Sequence, residues 1–289
     1  MSLTPAQLRA RAESASGALP ALLLAAERLA QQVAPGAHGL RRAGPGEDFW
    51  QYRPASSGDS ARSIDWRRSA RSDAQFVRDR EAQTAQTAAI WVSGGRGMDF
   101  TGAEGRETKL DRARLLAVAL AMLLLRGGEK VGLLGEPART GRLQAERLAE
   151  SLLAAAPMAQ DDAAPPAAAL RPQSRVVLIS DFLALPDWLP AFLARAAGSG
   201  VTGVIIQLLD PDEESFPYEG AAVFRSAGGG LRHESRDAGG LRAAYLDRLA
   251  ERRAFLAAEA MRAGWQFGHA STAEPPSDRL GWLWRVLGG

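Results

Sequence analysis

The chain has no cysteine, which excludes disulfides, thiolate nucleophiles and cysteine-ligated zinc and removes the small disulfide-rich secreted scaffold as a class. Histidine is scarce. His38, His233 and His269 are scattered, with none of the i, i+4 spacing of a helical metal site. Excess charge is missing too: 35 Lys and Arg against 33 Asp and Glu leave a net charge of +2, which gives no argument for nucleic acid. The basic residues are almost all arginine, and the chain is rich in alanine, so a single arginine is not by itself an anion ligand. Long apolar runs are absent. Leu19 to Ala26, broken by Pro20, and Leu115 to Leu125 both fall short of the roughly 20 residues that span a bilayer. Arg9 and Arg11 precede the first run, but Glu13 interrupts them and a helical pattern continues through Glu27 and Arg28, unlike a secretory leader. The expectation is a chain without a membrane span, in a reducing compartment, the cytoplasm.

Signatures of catalysis are missing as well. No Gly-x-Ser-x-Gly elbow occurs, and no serine is coupled in sequence to a histidine and an acid. Ser93-Gly94-Gly95-Arg96-Gly97 and Gly228-Gly229-Gly230 are glycine-rich but lack the Gly-Lys-Ser/Thr ending of a phosphate-binding loop. No cofactor is expected.

What is present is enough apolar sequence for a sizeable core: 289 residues, 46% of them hydrophobic. Residues 1–36 predict one or two helices, with Pro20 at a first-turn position and Pro35-Gly36 as the stop. Between 37 and 83 the helical period disappears, and repeated glycine and proline predict a small β-rich element. From 84 to 289 short apolar strands alternate with amphipathic helices. Strands are expected at 87–93, 130–134, 175–180, 202–209 and 265–269, with helices at 108–126, 142–155, 186–197 and 240–263. Such alternation predicts an α/β fold with a doubly wound, mostly parallel sheet. The segment 157–172, rich in alanine and proline, reads as a flexible surface loop.

In a doubly wound sheet ligands sit beyond the carboxyl ends of the strands, which here read Ser93 to Met98, Gly135-Glu136, Ser180-Asp181-Phe182 and Asp210-Pro211-Asp212. Together with GEDFWQYRPASSGDSARSIDWRRSAR and QFVRDREAQ, the runs AAIWVSGGRGM, KVGLL, VVLISDF and LLDPDEESFP resemble the family catalogued as domain of unknown function fifty-eight. That resemblance implies a von Willebrand factor type A-like domain and a MoxR-type AAA+ ATPase as partner. Type A domains hold Mg²⁺ with Asp-x-Ser-x-Ser after the first strand plus a later Thr and Asp. The matching positions here are Ser93, Gly95 and Gly97, with Asp181 at the later acid and Thr140 a poor match for the threonine. A lone carboxylate among neutral groups is a weak Mg²⁺ site, so no tightly bound metal is expected. Arg96, between two glycines, is a candidate surrogate cation for Asp181; the competing reading sends it into solvent. The acidic run Asp210, Asp212, Glu213, Glu214 reads as a solvated turn.

The signature segment holds Trp50, Tyr52, Arg53, Asp59, Arg62, Asp65, Trp66 and Arg71. Its interleaved acids and arginines favour internal pairing over phosphate binding. Two readings stand side by side: Asp59, Arg62, Asp65 and Arg71 lock the β-rich element onto the type A domain through hydrogen-bonded ion pairs, or part of the face docks a protein partner. The function expected is a non-enzymatic adaptor or scaffold that works with a MoxR-type ATPase and a client protein in maturation or complex assembly. A Mg-dependent type A binding protein and an uncharacterised hydrolase are the alternatives.

Overall fold

The computed structural model describes residues 5–33, 42–43, 49–56, 60, 64–70, 74–82, 86–155, 163–166, 170–184, 186–230 and 232–288. They form two units, Ala37–Gln86 on one side and Met1–Gly36 with Thr87–Gly289 on the other. Helix α1 (Pro5–Gln32) runs as one helix through Pro20, although the proline nitrogen has no hydrogen to donate to the preceding turn. The small unit follows, with β1 (Arg42–Ala43), β2 (Phe49–Pro54), the single-turn α2 (Trp66–Ser69) and β3 (Phe76–Ala82). Its strands are antiparallel in the order β1-β3-β2, with Tyr52 opposite Arg78 and Pro54 opposite Phe76.

The larger unit continues through β4 (Thr87–Val92), α3 (Lys109–Arg126), β5 (Lys130–Leu133), α4 (Leu143–Ala154), β6 (Arg175–Ser180), α5 (Leu189–Gly198) and β7 (Thr202–Leu209). After it come α6 (Pro211–Ser215), the hairpin strands β8 (Ala222–Arg225) and β9 (Arg232–Ser235), α7 (Arg242–Arg262), β10 (Gln266–Ser271) and α8 (Pro276–Gly288). Five strands form one parallel sheet in the order β10-β7-β6-β4-β5. An antiparallel bridge between Val131 and Arg139 extends its edge. With that edge included, the order along the chain is the doubly wound 3-2-1-4-5-6, and it reverses between β4 and β6. The fold is therefore the type A-like α/β sheet expected.

Residues alternate between two cores. Val177 and Ile179 of β6 join Ile90, Val204 and Ile206 under α3 and α8. Val176 and Leu178 face the other way, with Ile205, Phe192 of α5, Leu256 of α7 and Trp265. Helix α3 is apolar nearly all round because it lies between the sheet and α1, whose Ala26, Leu29 and Ala30 are buried in the same core. The N-terminal helix thus belongs to the α/β unit and is not a segment apart. Much of the segment 157–172, expected to be a flexible surface loop, lies outside the described residues; of those described, Ala163 is buried with Leu189 and Trp265, while Ala164, Pro166, Arg171 and Pro172 are exposed.

Candidate functional site

The sheet order reverses between β4 and β6, so the crevice for a ligand lies above their carboxyl ends. Ser93 leaves β4 buried, its backbone N–H donating to Ile179 O at 2.8 Å and its Oγ accepting from the Gly95 N–H at 3.2 Å. A short 3-10 turn at Arg96–Asp99 follows, and it brings Gly97 against the end of β6. There Asp181 is buried. The next residue, Phe182, takes φ 47°, a left-handed conformation that a bulky side chain rarely adopts. Arg252 holds this turn by donating to the Phe182 and Leu183 carbonyls at 3.3 and 3.0 Å.

The cation facing Asp181 is Lys109. Thr108 caps α3, so Lys109 is its first helical residue, and a helical side chain at that position leans back toward the N-terminus and the crest. Its Nζ donates to Asp181 Oδ2 at 2.9 Å and to Glu213 Oε1 at 2.6 Å, with the whole side chain 0% exposed. Arg96, the candidate surrogate cation, is exposed instead.

Beyond β7 the acidic run is ordered rather than solvated. Asp210 is 0% exposed and caps α6, accepting the Asp212 N–H at 2.9 Å while Glu213 reaches back to the Asp210 N–H at 3.0 Å. This capping box satisfies two orphan donors reciprocally. Arg106 donates to Asp210 at 2.7 Å and to Asp212 at 3.3 Å. Burial alone would raise the Asp210 carboxyl, but the N–H groups of Asp212 and Gly102, with Arg106, hold it below its ordinary value. Glu213 shifts the other way: burial raises it despite the attraction of Lys109. Tyr245 on α7 donates its hydroxyl to the Glu213 carbonyl at 2.6 Å, and burial raises that phenol.

A divalent ion does not fit this arrangement. Gly95 and Gly97 offer no side chain, Ser93 is turned to its own loop, and Thr140 is exposed. The space beside Asp181 and Glu213 is filled by an ammonium. Among the described residues no group of three or more acids and histidines could hold a metal ion. The described histidines, His233 on β9 and His269 on β10, are exposed.

In the small unit the described signature residues differ in their surroundings. Asp65 caps α2 by accepting the Arg68 N–H at 3.0 Å, and it also accepts the Tyr52 hydroxyl at 3.1 Å. The Asp65 N–H donates to Phe76 O at 2.8 Å, and Ser69 Oγ bridges the Asp65 carbonyl and the Phe76 N–H at 2.8 and 2.9 Å. Arg68 lies over the Tyr52 and Phe76 rings, 4.3 and 5.2 Å from their centroids. Trp66 points away and is 57% exposed, with Arg67 exposed beside it. Asp59, Arg62 and Arg71 lie outside the described residues, as do the side chains of Trp50 and Arg53.

Comparison with known proteins matches residues 51–255 to the family described as Protein of unknown function DUF58. The chain belongs to that family. It is 31% identical over 210 residues to the Uncharacterized protein Rv1480 of Mycobacterium tuberculosis and to the Uncharacterized protein Mb1516 of Mycobacterium bovis. The aligned stretch covers 66% of this chain and 64% of each relative, so the chain spans less than two thirds of their length. Among solved structures, an aerotolerance-related membrane protein from Bacteroides fragilis aligns at 18% identity and a TM-score of 0.43, covering 70% of this chain and 98% of the other. The conserved hypothetical protein BatB from Bacteroides thetaiotaomicron aligns at 13% and 0.40, with the same coverage. The fold assignment rests on the sheet order, not on these two likenesses. Among the described residues no helix is long and apolar enough to cross a membrane.

Both the crest and the Tyr52–Asp65–Ser69 lock fall inside the DUF58 match. Sequence reading singled out Asp181, Gly97 and Asp65, took Glu213 for part of a solvated turn, and missed Lys109, Arg106 and Ser69. Lys109 reaches its partners across 72 and 104 residues, so no local spacing announces the cluster.

Proposed function

We propose that this DUF58 chain is a non-enzymatic adaptor that presents a client protein to a MoxR-type AAA+ ATPase. The partner comes from the family resemblance, and a cytoplasmic setting, where ATP is at hand, is part of the same proposal. One observation carries the docking part of the reading: Trp66 is 57% exposed beside an exposed Arg67, while its neighbours Asp65, Arg68 and Ser69 are taken up in holding the turn. An exposed tryptophan flanked by arginine on a rigid support is the composition favoured at the centres of protein interfaces. That the chain is non-enzymatic is part of the proposal; at the crest Arg106 pairs with Asp210, and Lys109 pairs with Asp181 and Glu213.

The test is capture of the ATPase by the tagged chain, with turnover measured alongside. Wild type should recover the ATPase and change its rate, and a Trp66→Ala, Arg67→Ala double variant should lose both effects while melting normally. A wild-type chain that neither recovers the ATPase nor changes its turnover would remove the adaptor reading.

A further inference from the structure

We infer that the crest of this fold carries its own cation: the Lys109 ammonium takes the place of the divalent ion of a type A site, and the crest neither needs nor binds a metal. The inference goes beyond the adaptor reading and does not depend on which partner docks.

Three observations support it. The first is position. Lys109 Nζ lies 2.9 Å from Asp181 and 2.6 Å from Glu213, above the strand ends where the sheet order reverses. These are charge-assisted hydrogen bonds, both carboxylates are nearly buried, and one ammonium bridges the two acids.

The second is residue choice. The chain has two lysines, Lys109 and Lys130, and uses arginine for its remaining positive charge. A compact point charge on a slender stem fits a closed pocket where a planar fork with five donors does not. A lysine at the first position of a helix also opposes the helix dipole, a local cost that its two acidic partners offset.

The third is how the loop above has adapted. A β-carbon on Gly97 would stand 2.6 Å from Asp181 Oδ2, and one on Gly102 would stand 2.2 Å from Asp212 Oδ2. Residue 97 therefore has no room for a ligating side chain while Asp181 is turned to Lys109. The loop closes directly over the ion pairs.

The replacement also changes what the crest can do. A metal ion with an open position can accept a carboxylate from a partner. An ammonium 0% exposed, with donors committed to Asp181 and Glu213, offers no such position. Recognition at this crest therefore runs through its outer surface and not through a bridging acid.

Mn²⁺, Mg²⁺ and small amines test the inference on the full chain. Wild type should show no Mn²⁺ binding by electron paramagnetic resonance and no thermal shift with Mg²⁺. Lys109→Ala should lower Tm by roughly 10 °C, because two buried carboxylates lose their counter-charge. Mn²⁺ or ethylammonium should restore at least about half of that loss, whereas Lys109→Met, which fills the space without charge, should recover with neither. Saturable one-to-one Mn²⁺ binding by wild type, abolished in Asp181→Asn, would overturn the inference even if Lys109→Ala does not fold. A folded Lys109→Ala that recovers with neither cation would overturn it as well.

Discussion

Gly97 and Asp181 meet so closely that a β-carbon at position 97 would stand 2.6 Å from Asp181 Oδ2. Contacts that short do not persist, and Asp181 is held in place by Lys109. Gly97→Ala should therefore cost about 1–3 kcal/mol as an overpacked site. Thermal denaturation checks the size of the loss. In an Asp181→Ala background the same change should cost much less, because the clashing atom is gone and the two effects do not add. Equal costs in both backgrounds would mean that the loop, not Asp181, sets the limit.

Arg112 ties the start of α3 to the turn between β10 and α8. It is nearly buried, pairs with Glu107, and donates to Thr272 O at 2.8 Å and Glu274 O at 2.6 Å. A single ammonium cannot reproduce that fork of donors. Arg112→Ala should lose about 3 kcal/mol, a fall in Tm of roughly 6–12 °C, and Arg112→Lys should regain less than half of it. Hydrogen exchange should rise first at residues 272–275. Uniform exchange across the unit would argue against this local tie.

The sheet was legible in the sequence because its strands are short apolar runs and its helices repeat an apolar stripe, two periods that composition cannot mimic. Strands β6 and β7 lie at the expected residues, 175–180 and 202–209. Helix α8 escaped notice although Leu280, Leu283, Trp284 and Leu287 carry a helical period and are buried. The β8–β9 hairpin escaped for a different reason, since Arg232, His233 and Glu234 are exposed and show no apolar alternation. The crest was half legible. Asp181 follows a strand, where the fold puts ligands, but its partnership with Lys109 and Glu213 exists only after folding. The acidic run at 210–214 looked solvated because its arginine partners, Arg106 and Arg253, are distant in the chain.

Asp65 and Trp66 are adjacent yet should behave oppositely. Asp65→Ala removes a helix cap and the acceptor for the Tyr52 hydroxyl, a loss of about 2 kcal/mol from the small unit. Trp66→Ala removes an exposed ring and should move stability by less than about 0.5 kcal/mol. Limited proteolysis within residues 37–86 separates the two. Protection lost in the Trp66 variant would show that the ring is part of the lock and would leave Arg67 alone on the proposed docking face.

Glu129, at the opposite end of the sheet from the crest, should give stability a pH dependence in an unusual direction. It is 2% exposed and sits 3.7 Å from Arg175. Burial outweighs that arginine and pushes the carboxyl from 4.5 to about 7. The folded chain therefore binds this proton more tightly than the unfolded chain does. Stability should fall as pH rises from 4.5 to about 7 and level off above it. By linkage the fall is up to about 3 kcal/mol. Glu129→Gln carries no ionisable group, so its denaturant-unfolding free energy should lack this slope, and its advantage over wild type should be larger at pH 8 than at pH 5. Parallel stability curves for the two proteins between pH 5 and 7 would mean that Glu129 ionises at its ordinary value and that Arg175 neutralises it fully.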